Sequence, residues 1–113
     1  SDHTSIFTAY GNDNAYDQTL VEQLKNLLEP GDLVISLSVS GNSGNLVEAH
    51  KYAKEKNAIT VSVVGDYSGK LIGLSDLPIV IKSKNYGVVE DIHMVLDHSI
   101  SQEMKRQIQK IQG

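Results

Sequence analysis

The sequence predicts an α/β fold with a doubly wound, flavodoxin-like parallel sheet flanked by helices. Two observations predict it. Short apolar runs alternate along the 113 residues with stretches of helical periodicity, as in consecutive strand–helix–strand units. The runs are almost continuously apolar, which is typical of strands covered on both faces of a parallel sheet. The length is that of one domain with its own core, so we expect residues 1–113 to form a single domain.

The first third of the chain predicts a strand and a helix. Residues 5–9 are rich in β-forming side chains, and residues 12–14 offer turn and helix-capping side chains. From Leu20, apolar residues recur at the i, i+4, i+7 and i+8 positions, which predicts an amphipathic helix over residues 16–28. Pro30, followed by glycine, ends that helix.

The middle of the chain repeats a pattern of buried strand and helix. Residues 33–39 are a nearly continuous apolar run, and residues 59–64 repeat this buried-strand pattern. Between them, a polar loop opens a helix that is expected to end near Lys56. We then expect a short helical turn over residues 70–74 and a strand at residues 79–81.

The longest helix is predicted at the C-terminal end, over residues 88–111. Its apolar residues form a stripe at four-residue spacing. The members of this stripe are Ile92, Leu96, Ile100, Met104 and Ile108. A long apolar stripe is typical of a helix that packs against a second chain. A helix that covers its own sheet explains the pattern equally well.

Composition narrows the classes of function. The net charge is −4, which disfavours binding to a nucleic-acid backbone through bulk charge. Cysteine is absent, so disulfides, thiolate zinc sites and cysteine nucleophiles are excluded. No apolar run approaches the ~18 residues of a membrane-spanning helix, and no signal-peptide pattern opens the chain. We therefore expect a cytoplasmic protein that binds neither nucleic acid nor membrane.

The loop between the first long apolar run and the next helix is the most unusual segment. This serine loop reads Ser-Val-Ser-Gly-Asn-Ser-Gly over residues 38–44. The helix N-terminus offers unpaired N–H groups, and the glycines allow close approach of a ligand. The hydroxyls of Ser38, Ser40 and Ser43 add hydrogen-bond donors. These features predict a phosphate-binding site, and a plain glycine-rich turn with a serine N-cap is the alternative.

The serine loop resembles the phosphosugar loop of SIS (sugar isomerase) domains, and it is most similar to that of bacterial phosphoheptose isomerases. The turn at residues 29–32, the Gly-Lys loop at residues 65–70 and the histidine-bearing last helix match the same family. The resemblance implies an SIS-type fold and a sugar phosphate held by the loop. The residues that it assigns to the phosphate are Ser38, Ser40, Gly41, Asn42 and Ser43.

The resemblance also assigns chemistry to the last helix. His98 matches the family's acid–base or metal-binding histidine, and Glu90 stands where the family has a glutamine. We therefore expect His98 and Glu90 to transfer protons, or to provide two ligands of a zinc ion that needs further ligands. Spacing alone is equally compatible with a solvated helix face. His93 is expected to be a supporting residue at most, and His50 a surface residue.

Two departures from the family concern the completeness of the site. Family members are considerably longer, and the segment that carries a catalytic glutamate is expected to precede Ser1. Gly87 also replaces a family aspartate. If these residues were the whole molecule, we would expect weak or no isomerase activity.

The function implied by the resemblance is the isomerisation of sedoheptulose 7-phosphate to D-glycero-D-manno-heptose 7-phosphate through an enediol. Two alternatives remain open. One is a non-catalytic SIS module that senses a phosphosugar or binds a protein partner, and the other is an isomerase of another sugar phosphate. Family members are usually oligomeric, so we expect a homo-oligomer, either a tetramer or a dimer. Lys82 and Lys84 are expected to be exposed, solubilising side chains.

Overall fold

A computed structural model describes residues 4–12 and 17–112 and folds them into a four-stranded sheet with four helices. The strands are β1 (Ile6–Tyr10), β2 (Leu33–Ser38), β3 (Ile59–Val64) and β4 (Leu77–Val80). The helices are α1 (Thr19–Leu27), α2 (Gly44–Glu55), α3 (Leu71–Leu74) and α4 (Tyr86–Gln112). Every expected strand and helix is present, which confirms the α/β fold with a long C-terminal helix. The turn residues expected at positions 13 and 14, and the expected helix start at position 16, lie outside the described residues.

All neighbouring strands of the sheet are parallel, in the order β1-β2-β3-β4. In this register Leu37 lies between Tyr10 and Val63, so the C-terminal ends of three strands meet at one edge. The strands therefore lie side by side in the order in which they occur in the sequence. The reversal of strand order that a doubly wound sheet contains is therefore not found among the described strands, because β1 lies directly beside β2.

One face of the sheet is covered by α1 and α2. Val34 of β2 is fully buried there in a cluster that includes Leu24 of α1. A second cluster joins Leu46 of α2 to Val64 and Leu71. These contacts hold α2 against the sheet, so the beginning of this helix is fixed directly above the C-terminal end of β2.

Helix α4 lies on the opposite face. Ile35 and Leu37 alternate with the buried residues that face α2, so they point to the other side of the sheet. Ile35 borders a cavity together with Ile100 of α4, and Leu37 borders another together with His93. The predicted stripe is half-buried at Ile92, Leu96 and Ile100. The side chains of Met104 and Ile108 lie outside the part of the chain that the structure describes.

A buried aspartate fixes the entry into β2. Asp32 is 3% exposed, and its carboxylate accepts hydrogen bonds from the backbone N–H groups of Ser5 and Glu29, at 3.0 and 2.8 Å. Gly31 adopts φ +85°, which only glycine adopts readily, and its N–H donates to the carbonyl of Asn57. This turn sets β2 in register with β1 and β3, and so determines where the serine loop leaves the sheet.

His50 of α2 is buried, and the expectation of a surface residue was wrong. Its Nε2 lies 2.7 Å from Ser36 Oγ, and its Nδ1 lies 3.1 Å from Ser75 Oγ. These partners come from β2 and from the segment after α3, so helix periodicity did not reveal them. Burial lowers the pKa of His50 to about 4, although the Asp76 carboxylate acts in the opposite direction. The ring is therefore neutral near pH 7.

Candidate functional site

The serine loop joins the C-terminal end of β2 to the N-terminus of α2, and its own side chains shape it. The Ser38 hydroxyl accepts a hydrogen bond from the N–H of Gly41 at 3.0 Å and lies 2.9 Å from the hydroxyl of Ser43. Gly41 adopts φ +73°, which reverses the chain. The Asn42 N–H donates to Ser40 Oγ at 3.1 Å. Ser38 and Ser43 are thus held side by side under the tip of the loop.

The segment after β3 supports the serine loop from the side. The N–H of Lys70 donates to Asn42 Oδ1 at 2.8 Å, and the N–H of Leu71 donates to the carbonyl of Gly41 at 2.9 Å. A Cβ atom on Gly69 would lie 2.6 Å from Gly41 Cα, a distance that real Cβ atoms do not adopt. The two loops therefore touch backbone to backbone, and glycine is required at position 69.

The N-terminus of α2 is open toward the loop. Ser43 is the N-cap residue, but its side chain makes no capping hydrogen bond, and the first turn contains no acidic residue. Among the described residues, the N–H groups of Ser43, Gly44 and Asn45 have no acceptor. Such free donors, together with the positive end of the helix dipole, favour an anion at this position.

Asn45 connects this helix terminus to β1. Its side-chain Nδ2 donates to the carbonyl of Tyr10 at 3.0 Å, and its Oδ1 accepts from the N–H of Asn12 at 3.1 Å. The side chain is 4% exposed. The side-chain amide thereby satisfies the backbone groups at the C-terminal end of β1, and the N–H groups at the start of the helix remain available to a ligand.

A cavity of about 200 Å³ lies between the serine loop and α4, and we call it the loop cavity. Ser38, Ser40 and Ser43 line one side, and Glu90 and His93 line the other. The structure therefore brings the three predicted serines and Glu90 to one space. Gly41 and Asn42 shape the tip of the loop beside it.

His93 is the buried member of that space. Its Nε2 lies 2.8 Å from the carbonyl oxygen of Val63, so Nε2 carries the proton and donates it. His93 borders the loop cavity, and among the described residues its Nδ1 has no hydrogen-bond partner. Burial lowers the pKa of His93, against the opposing effects of the Val63 carbonyl and Glu90. Nδ1 is therefore a free acceptor near neutral pH.

Tyr10 borders the same cavity, near Asp97 of α4. Burial raises the pKa of Tyr10 to about 12, and a hydrogen bond to the Asp97 carboxylate contributes. The phenol therefore stays protonated. Its neighbour Asp97 lies on α4, one turn beyond His93.

His98 lies away from the serine loop. It is exposed and borders a separate cavity together with Gln102 and Arg106. Eight residues separate it from Glu90, which is about 12 Å along a helix axis. The described residues contain no group of three His, Cys, Asp or Glu side chains that are close enough to hold a metal ion. The expectation that Glu90 and His98 provide two ligands of a zinc ion, completed by further ligands, stays a prediction.

A second cavity, of about 460 Å³, lies on the other side of the serine loop, and we call it the lysine cavity. Ser40 and Ser43 line it as well as the loop cavity. Lys51 of α2 and Lys70 also line it. The sequence interpretation missed both lysines. Two features of the sequence could have revealed them. Lys70 stands at the end of the Gly-Lys loop, and Lys51 lies two helical turns after Gly44 on α2.

Lys82 and Lys84 are exposed, as expected, and line neither cavity.

A larger cavity of about 730 Å³ lies between β1 and α4. Its walls are largely apolar and include Phe7, Ile35 and Ile100, and no cationic side chain lines it. It therefore lacks the positive charge that would attract a phosphate.

Curated relatives of known sequence are similar to nearly all of the chain. The phosphoheptose isomerase of Aneurinibacillus thermoaerophilus is 39% identical over 97 residues, which cover 86% of this chain and 49% of the relative. That of Aliarcobacter butzleri is 36% identical over 99 residues, which cover 88% and 52%. The expected resemblance to phosphoheptose isomerases is confirmed. The chain spans about half the length of the curated relatives it matches.

Solved structures of phosphoheptose isomerases share the fold. The structure from Francisella tularensis superposes with a TM-score of 0.77 at 14% identity, and the match covers 91% of this chain and 76% of that one. At that identity the likeness concerns the fold alone. The structure from Neisseria gonorrhoeae gives a TM-score of 0.68 at 28% identity and covers 79% and 51%.

A family model described as SIS domain matches residues 1–65. The match includes β1, α1, β2, the serine loop and α2. Because it covers more than half of the 113 residues, the chain belongs to the SIS domain family.

Proposed function

We propose that residues 1–113 form a single phosphosugar-binding SIS domain of a phosphoheptose isomerase, which interconverts sedoheptulose 7-phosphate and D-glycero-D-manno-heptose 7-phosphate. The observation that carries the proposal is the loop cavity, where three serine hydroxyls face Glu90 and His93 beside an open helix N-terminus. The relatives named phosphoheptose isomerase support the choice of substrate class.

The serine loop is the proposed phosphate site. Ser40 and Ser43 line the loop cavity, and the free N–H groups at the start of α2 point out of the same helix terminus. Ser38 and Gly41 hold the loop in shape through their mutual hydrogen bond, and Asn42 ties the loop to the neighbouring segment. A phosphate bound here would fix the opposite end of the sugar chain in space.

Proton transfer is assigned to Glu90 and His93. A base must remove a proton from C1 of the ketose to form the enediol, and the proton returns at C2 to give the aldose. The Glu90 carboxylate borders the loop cavity and is the proposed base. His93 Nδ1 is the proposed acceptor for the hydroxyl proton that moves between the two oxygens. His98 opens into another cavity, so we assign it no role at the serine loop.

A homo-oligomer, either a dimer or a tetramer, is also part of the proposal. Helix α4 carries large apolar side chains that this chain leaves uncovered, with Met94 71% and Val95 66% exposed. A second copy that covers them would also enclose the loop cavity, which Met94 borders. None of the described helices is long and apolar enough to cross a membrane. The proposed location is the cytoplasm.

One observation favours a second candidate, a non-catalytic SIS module that binds a phosphosugar. The predicted proton-transfer pair is divided between two cavities, while the serine loop itself is complete. An isomerase of another sugar phosphate would use the same loop.

Binding is tested by calorimetric titration of the chain with sedoheptulose 7-phosphate, with sedoheptulose as the ligand control. We expect binding that requires the phosphate and that Ser40→Ala weakens. Ser99→Ala is the matched control, because this exposed serine borders the His98 cavity. Binding that is equal for both sugars would overturn the phosphate site.

Chemistry is tested by the exchange of a C1 proton of sedoheptulose 7-phosphate with deuterated solvent, followed by proton NMR. Enediol formation alone causes this exchange. Exchange that is faster than the uncatalysed rate in the parent chain, and that is lost in Glu90→Ala, therefore supports isomerase activity. Phosphate-dependent binding without any exchange favours the non-catalytic module.

A further inference from the structure

We propose that Lys70 supplies the positive charge for the phosphate at the serine loop, so that the phosphate faces the lysine cavity and the sugar chain extends into the loop cavity. This inference rests on the proposed function, because it concerns the same ligand. It adds a cationic residue and an orientation to a phosphate site otherwise built from hydroxyls and backbone amides.

Charge balance calls for such a residue. A phosphate monoester carries close to two negative charges near neutral pH. The serine hydroxyls and the helix N–H groups are neutral donors with partial charges only. On the other side of the loop, Glu90 adds a negative charge to the loop cavity. A cation on the lysine side therefore both attracts the phosphate and opposes the repulsion from Glu90.

The backbone holds Lys70 in place beside the loop. Its N–H donates to Asn42 Oδ1, and the next residue, Leu71, donates to the carbonyl of Gly41. Gly69 packs directly against Gly41. The Cα atom of Lys70 is therefore fixed relative to the serine loop, and only the side chain has to move to reach a ligand.

Lys70 is also the available cation of the lysine cavity. Among the described residues, no carboxylate pairs with its ammonium group, whereas Lys51 lies 3.6 Å from the Glu48 carboxylate. The charge of Lys51 is consequently partly neutralised, so Lys51 contributes less than Lys70 to the attraction of the phosphate. An unpaired ammonium can approach an anion without first breaking an ion pair.

The two cavities impose the orientation. Ser40 and Ser43 line both, so an oxygen atom bound to these hydroxyls lies at the boundary between them. Lys70, Lys51 and Glu48 border one side, where Glu48 pairs with Lys51 and leaves the charge of Lys70 uncompensated, and Glu90 borders the other. The charged end of a phosphosugar is stabilised on the lysine side, which leaves its carbonyl end next to Glu90 and His93.

The test is a set of calorimetric titrations of the 113-residue chain with sedoheptulose 7-phosphate, repeated at low and moderate salt. The variants are Lys70→Gln, which removes the charge, and Lys70→Arg, which keeps it. Lys82→Gln is the matched control, because it makes the same change in net charge at an exposed site outside both cavities. Circular dichroism of each variant confirms that the fold is retained.

We expect Lys70→Gln to raise the Kd about 10-fold at low salt, as for the loss of a charge-assisted hydrogen bond, and to flatten the salt dependence. Lys70→Arg and Lys82→Gln should remain within about 2-fold of the parent chain. A Kd for Lys70→Gln within that same range would overturn this inference and leave the proposed function standing. Equal weakening by Lys70→Gln and Lys82→Gln would overturn it too, since bulk charge would then explain the effect. A parent chain that binds both sugars equally would overturn the inference and the proposed function together.

Discussion

His93 of α4 donates a hydrogen bond from Nε2 to the carbonyl oxygen of Val63, near the end of β3, over 2.8 Å. This bond joins the long C-terminal helix to the backbone of the sheet. Glu90 lies one helical turn earlier, so the same bond determines how closely its carboxylate approaches the serine loop. The position of the proposed base therefore depends on a buried contact that the helix periodicity does not reveal.

Replacing that histidine tests its structural contribution. His93→Leu leaves the Val63 carbonyl without its donor, so we expect the free energy of unfolding to fall by about 1–3 kcal/mol. The measurement is urea denaturation at pH 7. Met94→Leu, at the exposed neighbouring position, should change stability by less than about 0.5 kcal/mol. Equal effects of the two substitutions would contradict the account.

His50 predicts a dependence of stability on pH. Its pKa is about 4 in the folded chain, against 6.5 as the ordinary value, so the unfolded chain binds more protons between these limits. The free energy of unfolding should therefore fall as the pH is lowered from about 6.5 to about 4, by about 3 kcal/mol in total. Above pH 7 this contribution should be constant. Urea denaturation at several pH values measures it.

The control for this prediction is His50→Gln, which retains hydrogen-bonding groups but does not titrate. The difference in stability between the parent chain and this variant isolates the histidine from the carboxylates that titrate in the same range. A difference that does not vary with pH would show that His50 is not held neutral by burial.

A substitution at Gly69 should weaken ligand binding although it removes none of the groups that bind the ligand. A methyl group at this position would meet the backbone of Gly41, so the two loops would have to separate. We expect Gly69→Ala to raise the Kd for sedoheptulose 7-phosphate roughly 10-fold or more, as for an overpacked contact. Gly73→Ala is the matched control, because a Cβ atom there meets nothing within 4 Å. If the two substitutions had the same effect on the Kd, ligand binding would not depend on close contact between the two loops.

Glu90 and His98 should differ in their effect on phosphosugar binding. Glu90 borders the loop cavity, so Glu90→Gln removes a repulsive charge and should tighten binding roughly 3-fold at low salt. His98→Gln should leave the Kd unchanged, because His98 borders a different cavity. Calorimetric titration measures both. A large effect of His98→Gln with none from Glu90→Gln would mean that the ligand lies elsewhere.

The strands were the most predictable part of the fold. The expected bounds of β3, residues 59–64, agree with the structure, because a buried parallel strand is a largely apolar, β-branched run bounded by turn residues, here Asn57 and Gly65. The expected strand at residues 79–81 lies instead at Leu77–Val80. Pro78 lies within this edge strand, where a missing N–H is tolerated.

The buried polar contacts were the least predictable part. His50 and His93 find their partners in other segments of the chain, and sequence spacing carries no information on such contacts. A signal was present nonetheless, because Ser36 and Ser62 interrupt apolar strands at positions that face inward. Buried hydroxyls need partners: Ser36 finds His50 of α2, and Ser62 finds Ser75 in the segment after α3.

The candidate site was predictable at the serine loop but not around it. The loop's residues carry their own signal, since glycines and hydroxyls at the junction of a buried strand and a helix are typical of an anion site. The grouping of Glu90 with the loop and the separation of His98 depend on how α4 crosses the sheet. That crossing is set by tertiary contacts such as those of Val89 and His93.

The most direct test of the central claim is an NMR titration of the isotopically labelled chain with sedoheptulose 7-phosphate, in which backbone amide shifts are followed. The account predicts that the largest shifts occur at Ser40, Ser43, Gly44 and Asn45, where free N–H groups and hydroxyls surround the proposed phosphate, and that sedoheptulose alone does not produce them. Shifts that centre on the His98 cavity or on the apolar cavity beside Ile100, with the serine loop unaffected, would contradict it.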